Sequence, residues 1–154
     1  MKHEYHIVVI GAGSGGLVVA SAAAGIGAKV ALIEGHKMGG DCLNYGCVPS
    51  KTFLKSAHLA AEIQEARQYG LDSSLAPVNL KQVLDRVRDV IAEIEPHDSK
   101  ERYEGLGGDV YEGYGKFVDK HTVQVNDTLI TGKTIVISTG STAVVPPIKG
   151  LDQV

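Results

Sequence analysis

The chain has 154 residues, with 15 Lys and Arg against 18 Asp and Glu, a formal net charge of −3, 44% apolar and 21% charged residues. That length predicts one domain with a hydrophobic core of useful size, and the composition argues against disorder. A mildly acidic balance with no basic block leaves no footprint for nucleic acid, and the apolar runs are broken well short of the roughly 20 residues that span a bilayer. His3, Glu4 and His6 precede the first apolar run, so the opening does not read as a secretory leader and the expected compartment is cytoplasmic. Two features stand out: 19 glycines, and a single pair of cysteines, Cys42 and Cys47. Without a leader, such a pair points to redox or metal chemistry before a structural staple.

In chain order, His6-Ile-Val-Val-Ile10 is a β-branched apolar run suited to a parallel strand covered on both faces. It leads into Gly11-Ala-Gly-Ser-Gly-Gly16, which fits G-x-G-x-x-G. A helix rich in small residues is expected from Ser14 to Ala24, closed by Gly25 and Gly27, and Lys29–Ile33 reads as a second strand ending at Glu34. In such a unit Gly11 permits the tight turn, Gly13 lets the backbone approach a pyrophosphate, and Gly16 lets the helix lie close on the sheet. The helix N-terminus offers unpaired N–H groups to phosphate, and Glu34 can accept from ribose hydroxyls while repelling a 2′-phosphate. Strand, glycine turn, helix and acid together point to dinucleotide binding, without separating FAD from NAD.

The segment Gly39-Gly-Asp-Cys-Leu-Asn-Tyr-Gly-Cys-Val-Pro-Ser-Lys51 follows, with Gly46 and Pro49 expected to loosen and then restart a helix. A helical pattern runs from Ser50 to Tyr69 and ends at Gly70. A thiolate near a helix N-terminus is stabilised by the local dipole, and Lys51 adds positive charge one turn on. Three readings stay open on these residues: an electron-exchanging dithiol/disulfide, two buried bystanders, or a metal site. The last lacks further His or Cys at a ligand spacing.

Leu80 to Glu95 carries apolar residues at three- and four-residue spacing and reads as an amphipathic helix with a solvated charged face. Pro96 interrupts it, and a short helical piece is expected from Asp98 to Gly105. Five β-type runs close the chain: Val110-Tyr111, Gly115–Asp119, Thr122–Val125, Leu129–Thr131 and Thr134–Ser138. The turn signals between them, including Gly132-Lys133, suggest an antiparallel meander that returns its last strand to the parallel sheet. The fold expected is α/β, a Rossmann-like parallel sheet plus an antiparallel β-meander. The six histidines, at 3, 6, 36, 58, 97 and 121, are scattered and read as surface or packing residues. No Ser-His-Asp arrangement or carboxylate pair supports hydrolysis.

The glycine turn, Glu34 and the Gly39–Lys51 segment resemble the N-terminal part of the FAD-dependent pyridine nucleotide–disulfide oxidoreductases, nearest in wording to dihydrolipoamide dehydrogenase-like and mercuric reductase-like members. The resemblance covers essentially the whole chain. It implies that Cys47 is the thiol beside the flavin, forming the charge-transfer complex, and that Cys42 is the interchange thiol that meets substrate. Lys51 then steadies the reduced flavin near N5, and Cys42 and Cys47 form one redox-active disulfide. Gly11, Gly13, Ser14, Gly15, Gly16 and Glu34 match the FAD pyrophosphate and ribose site, together with Gly40. Asp41 stands where many members carry Thr. Thr139-Gly140-Ser141 resembles the family's second FAD turn, with Thr142 and Ala143 in place of its frequent Arg-Pro, and Gly115 matches a main-chain approach to adenine.

Further expectations follow from the resemblance. Residues 1–154 are expected to be an FAD-binding N-terminal fragment lacking the nicotinamide-binding, central and dimer-interface domains. NAD(P)H would act through the missing domain, on a small-molecule disulfide or metal-ion substrate. The parent is expected to be a homodimer without nucleic-acid or membrane partners in this segment. The alternative is a free-standing dinucleotide-binding redox module, or a soft-metal-binding protein, without nicotinamide-dependent turnover.

Overall fold

A computed structural model describes residues 3–142 and 144–153. Its six-stranded sheet contains β1 (Tyr5–Ile10), β2 (Val30–Glu34), β3 (Asp109–Glu112), β4 (Gly115–Asp119), β5 (Thr122–Val125) and β6 (Thr128–Ile137), in the spatial order β3-β2-β1-β6-β5-β4. The β3, β2, β1 and β6 pairings are parallel, whereas β6–β5 and β5–β4 are antiparallel. The α/β architecture with a mixed sheet agrees with the sequence reading. The helices are α1 (Ser14–Gly25), α2 (Gly40–Asn44), α3 (Cys47–Glu65), α4 (Leu80–Ile94) and α5 (Lys100–Gly105).

Strand alternation divides the core between the two faces of the sheet. Val9, Val30, Leu32 and Val110 face one way and bury against Leu17, Ala20 and Ala23 of α1 and Tyr103 of α5. The small residues of α1 let it lie close to the strands. Val8, Ile10, Ala31 and Ile33 face the other way and bury against Val123, Val125 and Ile130 of the meander.

Two details of the strand reading change. Leu129–Thr131 and Thr134–Ser138 belong largely to one ten-residue strand, β6, which runs through the expected turn at Gly132-Lys133. Its first half pairs with β5 and its second half with β1. Gly132 serves packing there: a β-carbon would lie 2.6 Å from Val8 Cγ2. Val110-Tyr111 sits at the opposite end of the sheet from the meander, as a parallel edge strand on β2. Its apolar residue faces the α1 layer, and a two-residue apolar run gives no clue to its partner.

The long helices start and stop near their expected limits. The helix carrying the second cysteine starts earlier, however, at Cys47, so Pro49 lies inside its first turn, where a missing N–H costs nothing. Asn79 caps α4 by accepting from the Gln82 N–H. Among the described residues of α3 only Thr52 is buried, and of α4 only Val87. The expected apolar faces of these two helices therefore remain largely open.

At the base of the sheet Tyr5 is buried and its Oη donates to Asp109 Oδ2 at 2.7 Å, with Tyr111 Oη also at 2.7 Å. Burial, followed by those hydrogen bonds, pushes its ionisation well above the ordinary 10.0. The unfolded tyrosine therefore ionises first. The stability it contributes is complete below pH 10 and is lost as the pH rises toward its folded value. Tyr5→Phe should lower stability by about 1–2 kcal/mol at neutral pH and flatten the alkaline loss, as followed by thermal unfolding across pH 8–11.

Candidate nucleotide and redox site

The site forms at the carboxyl end of the parallel strands, where β1 and β2 deliver their connecting loops. Gly11 N–H donates to Ile33 O at 2.7 Å, tying the glycine turn to the end of β2. Gly11 has φ +102°, and a β-carbon there would lie 2.3 Å from Ser138 O, so only glycine lets the turn and the β6 exit approach this closely. Ser138 Oγ adds hydrogen bonds of 3.0 Å to the carbonyls of Ile10 and Gly11.

Gly13 caps α1 without a side-chain hydrogen bond, and no acid occupies the first turn. Its leading amides therefore remain available to an anion. Glu34 braces the opposite wall: Oε2 accepts from Ala12 N–H at 2.6 Å and Oε1 from His36 N–H at 2.7 Å. Each oxygen retains a lone pair for a ligand hydroxyl.

The cysteine segment docks on the same turn. Gly39 N–H donates to Ala12 O at 2.9 Å. Gly40 has φ +55°, and its backbone lies so close that a β-carbon would stand 2.6 Å from Gly13 Cα. This contact places Asp41 and Cys42, on the first turn of α2, against the glycine loop.

The resulting cleft, about 640 Å³, is lined by Gly11, Gly13, Ser14, Gly15, Glu34, Gly40, Asp41, Cys42, Gly115, Thr139, Gly140 and Ser141, among other residues. Three expected residues lie outside that lining: Gly16, Cys47 and Lys51. Gly16 is buried and acts through packing, since a β-carbon would fall 1.8 Å from Gly11 O. Cys47 and Lys51 occupy the first two turns of α3. Thr142 also lines the cleft, whereas Ala143 lies outside the described residues.

The lining also contains His36, Lys37, Tyr45, Gly113, Tyr114 and Ser138, which were not singled out as site residues. Their signal was positional: loops beyond the carboxyl ends of strands at the crossover of an open α/β sheet line its ligand crevice. His36, read as a surface or packing residue, is exposed, and its ring bonds Tyr45 across the loop.

Both cysteines are thiols here, Cys42 half-buried and Cys47 exposed. The Cys42 thiol is pushed up chiefly by its hydrogen bond with the Cys47 side chain, then by burial. The Cys47 backbone N–H and the Lys51 charge pull it down to a lesser degree. The helix-end stabilisation expected for a thiolate is thus present at Cys42, but outweighed in the dithiol. Iodoacetamide at pH 8 should modify Cys47 at least about threefold faster than Cys42, as resolved by peptide mass spectrometry. Faster labelling of Cys42 would contradict this arrangement. Among the described residues no group of three or more His, Cys, Asp or Glu is placed to hold a metal ion. No described helix is long and apolar enough to cross a membrane.

A dinucleotide-type cleft with a dithiol docked on its glycine turn defines a nucleotide-binding redox domain. The chain belongs to the pyridine nucleotide-disulphide oxidoreductase family, which it matches over residues 5–154. It is 38% identical over 154 residues to a dihydrolipoyl dehydrogenase of Acholeplasma laidlawii, covering 99% of this chain and 46% of that protein. It is 34% identical over 153 residues to a mercuric reductase of Bacillus cereus, covering 99% of this chain and 24% of that one. The solved Cu(II) complex of the HOCl-induced flavoprotein disulfide reductase RclA from Escherichia coli superimposes with a TM-score of 0.75 at 29% identity, over 96% of this chain and 30% of that structure. The chain thus spans less than half the length of these relatives. Members of the family are FAD-binding flavoproteins that also use NAD(P)H.

The cleft suits a dinucleotide such as FAD on its own geometry. Three positions of the turn, Gly11, Gly13 and Gly15, present no side chain, the amides of α1 open onto the cleft, and a carboxylate stands at the end of β2.

Proposed function

We propose that this chain is the FAD-binding and redox-cysteine portion of a flavoprotein oxidoreductase that passes electrons between NAD(P)H, FAD and a Cys42–Cys47 disulfide. The observation that carries this reading is the contact of Gly40 with Gly13, which joins the cysteine segment to the phosphate turn. Bound FAD would supply two-electron transfer between a nicotinamide and the cysteine pair.

The chain's own residues then divide the work. The α1 amides and the turn of Gly11, Gly13, Ser14 and Gly15 receive the pyrophosphate, while Glu34 accepts from ribose hydroxyls and disfavours a 2′-phosphate. Gly115 and the Thr139-Gly140-Ser141 turn offer main-chain groups to the cofactor, and Asp41 faces it beside Cys42. On the family resemblance Cys47 is the flavin-side sulfur, Cys42 the sulfur that exchanges with substrate, and Lys51 the nearby cation, although in this structure Cys42 rather than Cys47 lines the cleft. Reduction of the disulfide takes two electrons and two protons and yields two thiols. Those thiols return the same electrons and protons to a substrate disulfide, whose two halves leave as thiols.

The substrate class is a small-molecule disulfide or mercuric ion, and the working assembly is a cytoplasmic homodimer. The names of the relatives support the substrate class, and the charge balance agrees with partners other than nucleic acid.

Gel filtration after incubation with excess FAD tests the cofactor reading. The expected result is a yellow protein carrying close to one flavin per chain. A colourless protein that also fails to quench flavin fluorescence would contradict it.

A further inference from the structure

Between the two cysteines lies Tyr45, at the end of α2, with backbone φ −135° and ψ −10°. Its N–H donates to Asp41 O at 2.9 Å, and its Oη meets His36 Nε2 at 2.8 Å across the loop. The His36 and Tyr45 rings are nearly parallel and meet edge to edge, with centroids 6.1 Å apart and planes inclined by 13°, and Lys37 Nζ stands 5.7 Å from the Tyr45 ring centre. His36 is itself fixed, because its N–H is held by Glu34 Oε1. Glu34 thus holds the His36 backbone while the His36 ring holds Tyr45, which lies three residues after Cys42 and two before Cys47.

We infer that His36 and Tyr45 are positioning residues for the Cys42–Cys47 pair, forming a strap that holds the chain between the two cysteines in place. The inference rests on the reading of these cysteines as a dithiol/disulfide couple. Closing a disulfide across a free loop carries the entropy of ordering that loop. Gly46, with φ −118° and ψ −108°, gives the connection into α3 little helical or extended preference of its own. The Tyr45–His36 bond orders the chain between the cysteines beforehand. Asn44, whose Nδ2 donates to the carbonyls of Met38 and Gly40 at 3.0 and 2.9 Å, anchors the α2 side of the same loop. The strap governs what remains, the step from α2 into α3.

The test is the equilibrium of the 154-residue chain with glutathione. The two thiols lose two electrons and two protons to oxidised glutathione, forming one protein disulfide and two reduced glutathione molecules. The variants are Tyr45→Phe, which keeps the ring but removes its hydroxyl; His36→Phe, which keeps a flat ring but cannot hydrogen-bond; and His36→Gln, which keeps a hydrogen-bonding side chain. Far-UV circular dichroism establishes that each is folded. The equilibrium constant for forming the disulfide should fall about threefold to tenfold in Tyr45→Phe and His36→Phe, the worth of one neutral hydrogen bond. His36→Gln should recover at least half of that loss on a logarithmic scale. Constants within twofold of the parent in all variants would overturn the inference alone, as would an equal loss in His36→Gln and His36→Phe. A parent chain that forms no Cys42–Cys47 disulfide at any glutathione ratio would overturn the proposed function and this inference with it.

Discussion

Replacing Gly16 with alanine should destabilise the chain far more than replacing its neighbour Gly15. The new β-carbon would fall 1.8 Å from Gly11 O and 2.8 Å from Ser138 Oγ, and the nearer atom is backbone that cannot rotate away. Either α1 lifts from the sheet, uncovering Leu17 and Ala20, or the turn deforms and its amides lose their aim. Overpacking of this kind costs about 3 kcal/mol, and for a chain of this size that lowers the thermal midpoint by about 6–12 °C. Gly15→Ala is the matched comparison, since nothing lies within 4 Å of its β-carbon and the position is helical. It should be neutral or raise stability by about 0.5–1 kcal/mol, because alanine gives up less backbone entropy in a helix. Thermal unfolding of the two variants side by side is the measurement. Equal destabilisation would mean that α1 does not rest on the turn through Gly16.

The second large effect is expected at Glu34. Its carboxylate accepts the N–H groups of Ala12, which is fully buried, and His36. Glu34→Ala leaves the Ala12 donor without a partner, a loss of about 1–3 kcal/mol. It also removes the acceptor proposed for the ribose and releases the brace between the glycine turn and β2. FAD affinity should therefore fall by about tenfold to a hundredfold, the equivalent of one or two charge-assisted hydrogen bonds. Glu34→Gln keeps one acceptor oxygen and should fall between the two. Chemical denaturation separates the stability loss from the binding loss, which is read by flavin fluorescence. An Ala variant that binds FAD as well as the parent would remove Glu34 from the proposed site.

The features legible in the sequence are those fixed by near neighbours. Six residues from Gly11 to Gly16 specify a turn, an uncapped helix start and a helix–sheet contact without reference to the rest of the chain. Glu34 is legible for the same reason, since it terminates the strand that follows. Gly132 was misread because a glycine beside a lysine looks the same in a turn as in a strand crossing over Val8, and only the tertiary contact distinguishes them. The placement of β3 on β2 was equally hidden, because four residues of strand contain too little pattern to name a neighbour. His36 and Tyr45 are nine residues apart, and their hydrogen bond exists only because Gly39 and Gly40 fold the loop back on the turn. The apolar residues of α3 and α4 announced helices correctly, yet periodicity does not say whether a face is covered within the same chain. Phe53, Leu54 and Leu59 of α3 and Leu80 and Leu84 of α4 are exposed.

The central claim is that one chain holds flavin and a redox cysteine pair together, with Cys47 at the flavin and Cys42 toward substrate. It is tested most directly by stepwise dithiol reduction of the FAD-loaded chain, followed in the visible spectrum. A long-wavelength band should grow at partial reduction in the parent chain, persist in Cys42→Ser and be absent from Cys47→Ser. A band that survives in Cys47→Ser and disappears in Cys42→Ser would reverse the two roles, and a flavin-loaded parent that shows no band at any stage would contradict the claim itself.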